Sequence, residues 1–177
     1  MTVGSSGEPL EIERKFLIRM PEKERLASES ERHIAITQIY LCTGPEGGSR
    51  RLRHSRWDGG EARYYTEKRR LTHRTRVEWE REVDPEEYDA LLTEADRTLR
   101  PIEKVRWCVP YAGHTLEIDV FPFWGDRAFL EAELTSEDEE LRLPDWIRVI
   151  REVTEDERYT NLALAREIPD EPLESRG

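Results

Sequence analysis

Leu10-Glu11-Ile12-Glu13-Arg14-Lys15-Phe16-Leu17-Ile18 decides the fold. Glu11, Glu13 and Lys15 recur at spacing two, and in a β-strand such residues share one face. Ile12, Phe16 and Ile18 mark the opposite face. One such strand is an ordinary half-buried strand. The question is whether the other strands repeat it.

They do. Ile34 to Cys42 reads as a strand, closed by turns at Gly44-Pro45 and Gly47-Gly48. In Ser49 to Trp57, Arg51 and Arg53 share a parity, and Asp58-Gly59-Gly60 makes a hairpin turn. Glu61 to Arg69 carries Tyr64, Thr66 and Lys68 on one face. Arg76 to Val83 carries Glu78, Glu80 and Glu82. Leu99 to Tyr111 places Lys104 with Arg106, and Ala112-Gly113-His114 turns the chain. Thr115 to Phe121 then pairs Glu117 with Asp119, and Ala128 to Leu134 pairs Glu131 with Glu133. Arg70 to Thr75 reads as an irregular polar link, and the basic run Arg69 to Arg76 as a solvated loop or the rim of a polyanion site.

Helices are few. Pro21 to Arg32 forms a short surface helix with Pro21 near its first position. Asp84 caps a helix opened by Pro85, with Tyr88, Leu91 and Leu92 as its apolar stripe. Ser136 to Leu141 is expected to be a short helix, Ile147 to Ile150 short and extended, and Thr154 the cap of a last helix.

Only 36% of residues are hydrophobic, 38% are charged, and the formal net charge is −11. That balance argues against nucleic-acid binding through bulk electrostatics. The two cysteines, Cys42 and Cys108, lack ligand spacing and read as packing residues of a reducing compartment. The four histidines are scattered. No signal-like or membrane-spanning stretch is present, so a cytoplasmic protein is expected. The 177 residues fit one domain over residues 10–168, with flexible ends at 1–9 and 169–177.

About eight strands with short turns fit an antiparallel sheet or a closed barrel. Two geometries satisfy the alternation: a sheet showing its charges to water, or a barrel enclosing a polar tunnel. The signs bear on the choice. Carboxylate pairs at Glu11/Glu13, Glu78/Glu80, Glu117/Asp119 and Glu131/Glu133 suit a hard divalent cation. Lys15, Arg51, Arg53, Lys68, Lys104 and Arg106 suit a polyanion. A metal–polyphosphate complex satisfies both sets.

In order along the chain, Glu11-Ile12-Glu13-Arg14-Lys15, Arg51-Leu52-Arg53, Thr66-Glu67-Lys68, Glu78-Trp79-Glu80, Lys104 with Arg106, Glu117-Ile118-Asp119 and Glu131-Ala132-Glu133 resemble the strand motifs of the CYTH superfamily, the triphosphate tunnel metalloenzymes. Glu152-Val153-Thr154 and Tyr159-Thr160-Asn161 resemble its closing segment. The resemblance implies a mainly β fold: an eight-stranded antiparallel closed barrel, its tunnel polar, with peripheral helices. It implies metal-dependent hydrolysis of a triphosphate, most simply inorganic triphosphate, with Mg²⁺ or Mn²⁺. Adenylate cyclase, nucleoside or thiamine triphosphatase, and a noncatalytic polyphosphate-binding module are the alternatives. Glu11, Glu13, Asp119, Glu131 and Glu133 are implied on the metal side, with Glu117 a second choice. Lys15, Arg51, Arg53, Lys68 and Arg106 are implied as phosphate ligands, joined by Lys104 and Arg158. Lys15, Glu78 and Glu80 complete the expected catalytic set. Glu157-Arg158 departs from the family's pattern of two basic residues. The expected partner is a small-molecule triphosphate, without nucleic acid or membrane, bound by a monomer or homodimer.

Overall fold

The computed structural model describes residues 2–3, 9–43, 48–72 and 74–173. Its strands are β1 (Thr2–Val3), β2 (Pro9–Arg19), β3 (Arg32–Leu41), β4 (Ser49–Trp57), β5 (Gly60–Arg70), β6 (Thr75–Val83), β7 (Ile102–Tyr111), β8 (His114–Val120), β9 (Arg127–Glu133) and β10 (Val149–Glu152). Eight of them close a ring in the order β2-β6-β5-β4-β3-β7-β8-β9 and back to β2, every pairing antiparallel. β1 and β10 lie outside the ring, both on β2.

β2 closes the barrel because its two halves pair with different neighbours. Leu10 to Ile12 bond β6, and Glu13 to Arg19 bond β9. Two-residue turns join several neighbours. At Asp58-Gly59 the paired ends are Trp57 and Gly60. At Ala112-Gly113 both turn residues have positive φ (48° and 85°), the twist-matched form in which glycine is the natural second residue.

Two patches of the outer face are apolar and covered by helices. α1 (Lys23–Glu29) inserts Leu26 among Phe16, Ile18, Leu116, Ile118 and Leu130. α2 (Pro85–Leu92) lays Tyr88 over Leu41, Leu52 and Val83. Asp84 caps α2 by accepting from the Glu87 N–H at 2.8 Å. The inner face changes character along β2. Leu17 shares a face with Lys15 and pairs with Phe129. There, with Ile102, Phe121, Trp124 and Tyr159, it forms an apolar cluster beside the charged zone.

Four local expectations are corrected. α1 begins at Lys23, with Glu22 at its cap, so Pro21 precedes it. Residues 136–141 form no helix, because their acids bind elsewhere. Glu137 accepts from the Thr72 and Thr75 hydroxyls, and Glu139 pairs with His114. The extended stretch after Trp146 is Val149–Glu152. The Thr154 hydroxyl accepts from the Lys15 N–H at 2.9 Å, and Thr160 instead caps the final helix, α3 (Asn161–Arg166). The chain ends are not wholly free: Thr2 and Val3 pair with β2, and Glu171 forms a bidentate pair with Arg151. The expected turn at Gly44-Pro45 lies outside the described residues. No helix among the described residues is long and apolar enough to cross a membrane.

Candidate active site

The barrel encloses a cavity of about 540 Å³. β2 contributes Glu13 and Lys15, and β4 contributes Arg51 and Arg53. β5 contributes Lys68 and Arg70, and β6 contributes Arg76, Glu78 and Glu80. Arg106, Glu117 and Glu131 come from β7, β8 and β9. All are at inward positions of their strands, as strand alternation requires. Val153 to Asn161 close one side. That segment is held by Thr154 on Lys15, by Arg151 on Glu171, and by a Tyr159 hydroxyl donating to Glu171.

Cations and anions interlock. Lys15 Nζ lies 3.1 Å from Glu131 Oε1 and 4.0 Å from the Phe129 ring centre. Arg76 reaches Glu13 at 3.2 Å, and Arg106 reaches Glu117 at 2.5 Å. Glu78 stands 3.9 Å from both Arg51 and Lys68. Burial works against the Glu131 carboxylate, yet Lys15, with Arg106 and Lys104, holds it down at about 2.

Arg53 stands apart. Its Nη2 donates to the neutral Gln38 Oε1 at 3.2 Å, and its Nε is hidden without a partner. Among the described residues no carboxylate comes within 4.0 Å of it. Burial pushes it down to about 10, and the neighbouring Arg51 and Arg106 add to the effect. What Arg53 exposes, it exposes to the cavity.

Lys104 and Asp119 occupy a deeper layer and do not line the cavity. Lys104 Nζ meets Asp119 Oδ2 at 2.7 Å, with both side chains fully buried. Arg106 Nε and Nη2 take Oδ1 and Oδ2 at 2.8 and 2.9 Å. Burial works against the Asp119 carboxylate, but Arg106 and then Lys104 hold it well below the usual carboxylate range. Lys104 is the surplus cation, and burial pushes it down to about 7. Both Asp119 oxygens are therefore committed to the protein. Asp119, expected on the metal side, is buried against Lys104 and Arg106, and Lys104, expected on phosphate, is paired with it. Glu117, the second choice, is the β8 carboxylate at the cavity.

The other expected residues divide. Glu13, Lys15, Arg51, Arg53, Lys68, Glu78, Glu80, Arg106 and Glu131 come together. Arg158 points outward to Asp156 at 2.7 Å. Glu133 is exposed in register with Glu13 and does not line the cavity. Glu11 is paired in register with Arg76, and its side chain lies outside the described residues. Arg70 and Arg76 line the cavity, so of the two readings of the basic run Arg69 to Arg76 these two residues follow the polyanion rim and not the solvated loop. For Arg76 a signal existed, since it shares the parity of Glu78 and Glu80.

Carboxylate oxygens are the donors that Mg²⁺ or Mn²⁺ takes, so Glu13, Glu117 and Glu131 fit such an ion by chemistry. Among the described residues, no three His, Cys, Asp or Glu side chains converge into a preassembled metal cage.

No protein-family model matches the chain. The chain is 33% identical over 164 residues to an inorganic triphosphatase of Nitrosomonas europaea, spanning 90% of this chain and 99% of that protein. The crystal structure of the inorganic triphosphatase NE1496 superposes with a TM-score of 0.54 at 30% identity, over 90% of this chain and 96% of that one. PH1819 from Pyrococcus horikoshii shares the fold at 23% identity and a TM-score of 0.54, over 73% of this chain and 81% of that one. With the ordered motifs distributed over the strands of one closed barrel and a relative matched over nearly its whole length, the chain belongs to the CYTH superfamily.

Proposed function

We propose that the chain hydrolyses inorganic triphosphate to pyrophosphate and phosphate, with Mg²⁺ or Mn²⁺. The observation that carries the reading is Arg53, a cation aimed into a cavity whose protein partner there is a neutral amide. Glu80 and Glu117 act on Arg53 only from beyond ion-pair distance, and a bound phosphate would supply a direct anionic partner. Arg51, Lys68, Lys15 and Arg106 surround the same space, and planar guanidinium groups grip phosphate oxygens in pairs. The similarity to an inorganic triphosphatase supports the same substrate.

Glu13, Glu117 and Glu131 would offer carboxylate oxygens to the divalent ion, with Glu11 and Glu133 as outer candidates. When bound, the ion neutralises charge on the phosphoryl group being transferred. The protein's own groups do the rest. Lys15, held by Glu131 against Phe129, is fixed to meet one phosphate. Glu80 is the carboxylate for water. The Thr66 hydroxyl donates to its Oε2 at 2.9 Å, whereas Glu78 is spanned by Arg51 and Lys68. Glu80 accepts a proton as the water oxygen bonds to the terminal phosphorus. The bridging P–O bond breaks, and the arginines stabilise the charge that leaves with pyrophosphate.

The test is a product-resolved assay with inorganic triphosphate, ATP and thiamine triphosphate, each with Mg²⁺ or Mn²⁺. Phosphate release from inorganic triphosphate, abolished in Glu13→Ala and Lys15→Ala, is the expected result. Tight binding without turnover under either metal would replace the enzyme with a binding module. Cyclic AMP and pyrophosphate from ATP would identify a cyclase.

A further inference from the structure

Arg70 and Glu157 form an ion pair at the end of the cavity where β5 finishes. Arg70 Nη1 lies 3.3 Å from Glu157 Oε1, and the Glu157 side chain is 79% exposed. Both residues line the cavity, beside Gly48 and Ser49. The pair has a local electrostatic cause. Arg70 and Arg76 stand directly opposite one another across β5 and β6, and like charges in register repel. Glu13 answers Arg76 and Glu157 answers Arg70. Inward cations run toward this end from Arg53 and Arg51 on β4 to Lys68 and Arg70 on β5. A phosphate chain lying along that row meets Arg70 last, and there it meets a carboxylate.

We infer that Glu157 sets the chain length that the site accepts. It occupies Arg70 and places a negative charge where a fourth phosphate would lie, so inorganic triphosphate is favoured over tetraphosphate and longer linear polyphosphates. This rests on the triphosphatase reading but is measured separately from it.

The experiment is calorimetric binding of inorganic triphosphate and tetraphosphate to the wild type, Glu157→Gln, Glu157→Lys and Arg70→Gln, alongside their turnover. Glu157→Gln is expected to raise tetraphosphate affinity relative to triphosphate roughly fivefold at low salt, the scale of one charge contact in a solvated rim. Glu157→Lys should raise it further, and added salt should shrink both effects. Arg70→Gln should lower tetraphosphate affinity more than triphosphate affinity. An unchanged affinity ratio in Glu157→Gln overturns the inference, whatever the turnover. Binding without turnover in the wild type overturns the hydrolase reading, and the affinity ratio still judges Glu157. Absence of binding by either anion overturns both.

Discussion

Lys15 and Glu131 are direct register partners across β2 and β9, and their side chains meet at 3.1 Å inside the barrel. The pair joins the strand that closes the ring to the wall that carries the carboxylates. It also sets the acid behaviour of the fold. The Glu131 pKa is about 2 in the folded chain, against an ordinary 4.5. The folded state therefore binds fewer protons than the unfolded state between those values. Its contribution is complete above about pH 4.5 and is lost as pH falls toward 2.

Urea denaturation of the wild type and Glu131→Gln across that window checks this. At pH 7 the variant should be less stable by on the order of 1–3 kcal/mol, because Lys15 loses its partner in a buried setting. The gap should close as pH approaches 2, where the wild-type carboxylate also becomes neutral. A gap independent of pH would show that Glu131 acts through packing alone.

Asp119 and Glu117, two residues apart on one face, are expected to behave differently. Asp119→Asn removes the anion that holds Lys104 and Arg106, and should cost about 3–5 kcal/mol. Asp119→Asn combined with Lys104→Met removes the surplus charge as well and should recover part of that loss. Glu117→Gln should leave the unfolding midpoint nearly unchanged and weaken Mn²⁺ binding, read by paramagnetic resonance. The opposite pattern would return Asp119 to the metal side.

That contrast marks how far the sequence is informative. Spacing of two puts Glu117 and Asp119, or Lys104 and Arg106, on one strand face, and the barrel confirms the shared face. It carries no information about depth. Asp119 lies one step closer than Glu117 to Phe121, and so falls in the layer sealed from the cavity. The strands and the inward charges of β2, β4 and β6 were legible because alternation is local, whereas closure of the ring followed only from the family resemblance. Helix expectations at Ser136 and Thr154 failed for the converse reason. Their polar groups are taken by distant partners, Thr72 and Thr75 with Glu137 and the Lys15 backbone with Thr154. Arg70 and Arg76 were masked by an excess of charge. A run of basic residues resembles a solvated loop until β5 and β6 are seen to reach in from its two ends.

Removal of divalent metal gives a further test. With a chelator present, turnover should fall to background while inorganic triphosphate still binds, more weakly, because Arg53, Arg51 and Lys68 remain in place. Glu13→Gln should reduce Mn²⁺ affinity and leave metal-free triphosphate binding intact or slightly stronger, since it releases Arg76. Calorimetry with and without metal separates these effects. Complete loss of anion binding on chelation would place the ion, and not the arginines, as the main anchor.

Arg53 yields the sharpest expectation because stability and binding should move in opposite directions. Its guanidinium is held near Arg51 and Arg106 with no carboxylate at ion-pair distance among the described residues, and burial lowers its pKa to about 10. At neutral pH it remains charged, so the free protein keeps a poorly compensated cation. Arg53→Met retains an unbranched apolar stem and removes that charge. The variant should unfold at a higher temperature than the wild type, by an amount on the order of 1 kcal/mol. Its triphosphate affinity should fall at least tenfold, the loss of one charge-assisted contact of about 1.5–3 kcal/mol. Saturating triphosphate should then stabilise the wild type more than the variant and reverse their order in Tm. A variant that binds normally, or that is less stable when free, would mean that Arg53 serves the fold and not the ligand.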